Sequence, residues 1–107
     1  MEDYPYLAHA LAEVLEEYRT RRRLSKSALA DLAHIQRNYL LDLLAARKKP
    51  TLNAVFLLCR ALHVHPSVFV RDLTKIMQKE KAEEFSQIAT ISDDDLANDF
   101  FDQNLRL

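Results

Sequence analysis

Glycine is absent from the 107 residues, where average usage of about 7% would supply roughly seven. That absence excludes glycine-rich phosphate loops and the dinucleotide fingerprint, both of which need backbone without a side chain. It also counts against a turn-rich β-sandwich or barrel, because hairpins commonly take Gly where φ is positive. Cysteine is nearly absent: Cys59 stands alone, so there is no internal disulfide and no cysteine cluster for zinc. No run approaches the roughly 18 consecutive apolar residues of a membrane span. Met1 to Ala12 hold acids and no apolar stretch, unlike a secretory signal. What is present is 49% apolar and 29% charged, a near-average globular balance. The length fits one domain with a modest core. A cytoplasmic, mostly helical protein is the expectation.

The net charge of −1 conceals strong segregation. Residues 1–18 carry five acids and no Lys or Arg, whereas residues 19–49 carry nine bases against Asp31 and Asp42. Residues 50–79 remain basic at +3, and residues 80–107 are acidic at −6. Net charge alone predicts no affinity for nucleic acid, but the basic middle predicts it clearly.

Apolar spacing predicts five helices. Leu7, Ala10, Leu11, Val14, Leu15 and Tyr18 mark an amphipathic helix from Tyr6 to about Arg22, with Asp3 as its N-cap. Ser25 caps a second helix, Lys26 to Ala33, with Ala28, Leu29 and Leu32 inward. A third runs from about Gln36 to Ala46 with Tyr39, Leu40, Leu43 and Leu44 inward, and ends before Pro50. Thr51 caps a fourth, Leu52 to Leu62. Pro66 opens a fifth, containing Val68, Phe69, Leu73, Ile76 and Met77. The fold class is all-α, a compact five-helix bundle.

Two short helices separated by about three residues have the spacing of a helix-turn-helix, whose second helix enters the DNA major groove. The residues also resemble a family. Leu24–Ser25, Leu29–Ala30, Ile35, Leu40, Leu43 and Lys49–Pro50–Thr51–Leu52 look like the phage-repressor (XRE, Cro-like) pattern. Ala61–Leu62 and Val64, followed by Pro66 and Phe69, resemble its closing helices. The resemblance covers residues 10–75 and implies a lambda-repressor-like DNA-binding domain. Departures fall at diagnostic places. His34 and Ala46 stand where the family usually has Gly. Leu44 stands where a Glu usually pairs with an arginine, here Arg19, which leaves Arg19 available to phosphate and Leu44 to pack against the fourth helix. Lys26 replaces the usual Gln.

Within that frame the third helix presents Arg37, Asn38, Leu41 and Asp42 to base edges. Arg binds guanine and Asn binds adenine bidentately, an apolar side chain meets the thymine methyl, and a carboxylate accepts from cytosine or repels wrong sequences. Lys26, Gln36, Arg47, Lys48 and Lys49 would hold phosphates, which supply affinity with little sequence information. Arg21 to Arg23 sit at a helix C-terminus, where the dipole alone recruits them. Duplex DNA is favoured over RNA, since no aromatic stacking platform is visible. Neither catalysis, a metal nor a cofactor is expected: His9, His34, His63 and His65 are scattered, and Cys59 reads as a small buried hydrophobe.

The expected division is a DNA-binding domain over residues 1–79 and an acidic extension over residues 80–107. A short helix from Asp95 to about Asp102 follows the capping-box-like Ser92–Asp95. Three roles fit the extension, with its Phe85, Ile88, Ile91, Leu96, Phe100, Phe101 and Leu105: dimerisation, binding a partner protein as antitoxins do, or folding back over the basic surface. A helix packed on its own domain is the simplest alternative. The reading is a homodimeric transcriptional regulator, a repressor, reading half-sites about one DNA turn apart. The alternative is the same fold used to bind protein, with Leu41 serving a protein groove.

Overall fold

Apolar side chains three and four residues apart gather into five helices in the computed structural model, which describes residues 1–88. They are α1 (Leu7–Arg21), α2 (Lys26–Ala33), α3 (Arg37–Leu44), α4 (Leu52–Leu62) and α5 (Pro66–Ile88). There is no strand among the described residues. α1 packs on α3 and α5, α2 on α3 and α4, and α4 on α5. Leu11, Val14 and Leu15 meet Leu29 and Ala33, Leu40 and Leu43, Leu58 and Leu62, and Phe69 in one apolar cluster. No polar or charged residue is fully buried among those described. No single described helix is long and apolar enough to cross a membrane.

Two predicted caps form. Ser25 Oγ accepts from the Ala28 N–H and Thr51 Oγ1 from the Ala54 N–H, each at 3.0 Å, satisfying first-turn donors that the helix itself leaves open. Pro66 begins α5, where its missing N–H is of no consequence. His65 Nδ1 accepts from the Ser67 N–H at 3.1 Å.

Some expectations need correction. Asp3 does not cap α1, which starts at Leu7 after a left-handed Tyr6 with no side-chain cap; the Asp3 carboxylate pairs instead with Lys49. Leu32 is 51% exposed, because α2 turns Leu29, Ala30 and Ala33 inward and Leu32 lies about a quarter-turn away from that stripe. α3 ends at Leu44 rather than Ala46, since Ala46 is left-handed at φ 60°. Leu44 is half-buried against the core cluster to which α4 contributes Leu58, Cys59, Ala61 and Leu62. α5 runs from Pro66 to Ile88, through the change of charge at residue 79. The predicted helix from Asp95 to Asp102 lies outside the described residues.

With no glycine to end them, four helices end on other residues in the left-handed region: Arg23, His34, Ala46 and His63, with φ of 57°, 57°, 60° and 54°. In each, the next N–H reaches the carbonyl five residues back: Leu24 to Arg19, Ile35 to Ala30, Arg47 to Asp42 and Val64 to Cys59, at 2.9–3.1 Å. This is the Schellman closure, which satisfies orphan carbonyls and usually brings an apolar contact with it. Leu24, Ile35 and Val64 supply that contact by packing on the core. After α3 the corresponding residue is Arg47, a charged exception.

Candidate nucleic-acid interface

α3 owes its orientation to one face. Leu40 and Leu43 are fully buried, with Tyr39 and Leu44 partly so, and this fixes which side chains turn outward. Tyr39 adds a polar tie, its hydroxyl accepting from the Thr51 N–H at 3.1 Å. That bond joins α3 to the start of α4.

Of the residues selected for base contact, Arg37 and Asn38 are exposed in the first turn of α3, while Leu41 and Asp42 are half-buried. Lys26, Gln36, Arg47, Lys48 and Lys49 are all exposed. Gln36, Asn38, Asp42 and Lys48 line one recess together with Thr51 and Asn53. Arg37, Leu41, Lys26, Arg47 and Lys49 lie outside it. Thr51 and Asn53 share that recess but were not among the residues selected from sequence. Their position just after Lys48–Lys49–Pro50, in the opening turn of a helix, was the available signal.

The basic loop is internally paired. Asp42 Oδ1 accepts from Arg47 Nε at 2.9 Å, and Asp42 Oδ2 lies 3.4 Å from Lys48 Nζ. The hydrogen bond from Arg47, with Lys48 beside it, holds the Asp42 carboxyl below the usual carboxylate range. Lys49 pairs with Asp3 across the fold.

Arg19 is not available to phosphate, contrary to expectation. Its Nε donates to Glu16 Oε2 at 3.0 Å, a second guanidinium nitrogen pairs with the other oxygen, and Nη1 donates to the Leu24 carbonyl at 2.7 Å. The side chain is only 15% exposed. An arginine without a glutamate on α3 has found one on its own helix, and it braces the α1–α2 turn. The hydrogen bond from Arg19 pulls the Glu16 carboxyl down. Arg21 pairs with Glu17 and lies over the Tyr18 ring, and Arg22 Nη1 donates to the Leu62 carbonyl at 3.0 Å. These arginines serve the bundle.

The remaining polar chemistry is structural. The Tyr18 hydroxyl donates to Asp72, tying α1 to α5, and that bond raises its pKa. Burial pushes the Cys59 thiol up to about 11, far from thiolate reactivity at neutral pH. Among the described residues no three His, Cys, Asp or Glu side chains converge on a point that would hold a metal ion.

A family model for the helix-turn-helix domain matches residues 10–69. No match was found among curated protein sequences. Among solved structures, the fold is similar to the clp gene regulator ClgR from Corynebacterium glutamicum, with TM-score 0.69, 23% identity, and coverage of 77% of this chain and 87% of that one. It is also similar to the restriction-modification controller protein C.AhdI from Aeromonas hydrophila, with TM-score 0.55, 27% identity, and coverage of 62% and 94%. A point mutant of the controller protein C.Esp1396I gives TM-score 0.65 at 22% identity, with coverage of 74% and 98%.

Proposed function

The chain belongs to the helix-turn-helix domain family, of the phage-repressor-like (XRE, Cro-type) kind, and on that premise we propose that it binds duplex DNA sequence-specifically as a homodimeric transcriptional regulator that represses by occupying its operator. The observation that carries this reading is the first turn of α3. Arg37 and Asn38 stand exposed there on a helix locked from behind by Leu40 and Leu43, and recognition helices use that turn for base edges. Leu41 lies beside them for a thymine methyl. Lys26, Gln36, Arg47, Lys48 and Lys49 flank the helix as phosphate contacts. Similarity to a clp gene regulator and to restriction-modification controllers supports a regulatory role.

The test is selection from randomised duplex DNA at two salt concentrations. A palindromic motif with affinity falling steeply in salt is the expected result. Salt-sensitive binding without a motif would remove α3 as a reader, and a non-palindromic motif would remove the dimer.

Two substitutions separate the roles. Arg37→Ala is expected to relax preference at one base position and cost about 1–3 kcal/mol. Equal weakening on every sequence would make Arg37 a phosphate contact. Lys48→Ala is expected to weaken binding uniformly and make the salt slope shallower by about 0.9, the value for one phosphate. An unchanged slope would remove Lys48 from the set.

A further inference from the structure

Asp42 is the one acid on α3, and both of its oxygens face cations of the loop that follows. Three features of the pairing stand out. It joins the residue whose carbonyl accepts the closing bond of α3 to the residue that donates it, since the Arg47 N–H bonds the Asp42 carbonyl at 2.9 Å while Arg47 Nε bonds the Asp42 carboxylate at 2.9 Å. At the other three left-handed helix ends the corresponding residue is an aliphatic side chain packed on the core, so the ion pair replaces a contact that apolar residues make elsewhere. The carboxylate is also the better buried member, 25% exposed against 63% for Arg47 and 59% for Lys48. It stays with the helix, while the cations extend toward solvent.

A carboxylate with both oxygens engaged in this way is poorly placed to accept from cytosine. Resting on the DNA-binding reading above, we propose that Asp42 sets the strength of DNA binding and not its sequence preference, acting as an internal competitor that DNA phosphates must displace from Arg47 and Lys48. Every duplex presents the same phosphate charge, so the competition is paid equally on every sequence. Asp3 on Lys49 is a second, more exposed example on the same loop, with its side chain 81% exposed.

The experiment compares the full chain with its Asp42→Asn and Asp42→Glu variants on the selected duplex and on a scrambled duplex, across a salt series. Asn is isosteric and can still accept from Arg47 Nε, so it removes charge with little change of shape. The Asn variant is expected to bind both duplexes more tightly by the same factor, about threefold to tenfold at low salt. Its slope should steepen by about 0.9, the equivalent of one phosphate. The Glu variant should keep the parent slope. A changed preference at one base position in the Asn variant would overturn the proposal and make Asp42 a base reader. An unchanged or shallower slope would overturn it by showing that no cation was released. Failure of the parent chain to bind DNA at all would overturn the DNA-binding reading, and this inference with it.

Discussion

Phe69→Ala is expected to lower the unfolding free energy by about 3–5 kcal/mol, the usual cost of emptying a buried aromatic site. Phe69 is fully buried in the first turns of α5, the helix that packs on both α1 and α4. Its ring stands 5.9 Å from that of Tyr18, within the range of favourable aromatic pairs. Truncation therefore leaves a void where three helices meet and removes the ring partner of Tyr18. A domain of this size has about 5–15 kcal/mol in total, so the variant should retain a marginal fold at best. Urea denaturation followed by helical ellipticity is the measurement. A lower midpoint with an unchanged slope against denaturant is expected, and a loss under about 1 kcal/mol would mean that α1, α4 and α5 close the gap.

The opposite sign is expected of glycine. The triple variant His34→Gly, Ala46→Gly, His63→Gly should be more stable than the parent by about 2–3 kcal/mol. Each position is left-handed, where a side chain costs about 1–2 kcal/mol, part of which glycine returns through its larger unfolded-state entropy. The three lie at the ends of different helices, so their effects should add. At about 4–8 °C per kcal/mol for a domain of this size, the melting temperature should rise by roughly ten degrees or more. Ala46→Gly is the cleanest single case, because a methyl group has no hydrogen bond to lose. A fall in melting temperature for that variant would show that the left-handed backbone costs nothing here.

These helix ends also show how much of the structure the sequence disclosed. Helix identity was legible because apolar spacing is a local signal, and the caps at Ser25 and Thr51 were legible because a hydroxyl before an amphipathic run has one effective use. The left-handed backbone at His34 and Ala46 agrees with the resemblance, since the family favours Gly at both. The inward face of α2 was misread: its alanines leave room for close packing, and a large apolar residue drew the prediction to Leu32. The fate of Asp3 was not legible, because only the fold brings it to Lys49, far along the chain. That of Arg19 was legible but overlooked: Glu16 stands three residues before it on the same helix, the spacing of a local ion pair. For the candidate interface, Arg37 and Asn38 were placed on the exposed first turn from apolar periodicity together with the helix-turn-helix spacing and resemblance. The pairing of Asp42 was hidden, because it follows from the left-handed turn at Ala46 that brings Arg47 back over α3.

α3 is seated by Leu40 and Leu43, and among the described residues no charged residue is fully buried. Ionic strength therefore reaches the two halves of the molecule's work unequally. Surface charges a Debye length apart are screened at about 0.1 M salt, whereas apolar burial is not weakened by simple screening. Raising salt should strip contacts from the outer face of α3 while leaving the platform beneath it standing. A salt titration of binding in this protein thus measures adhesion separately from architecture, and a melting temperature nearly flat across the same series is the internal control that makes the two separable.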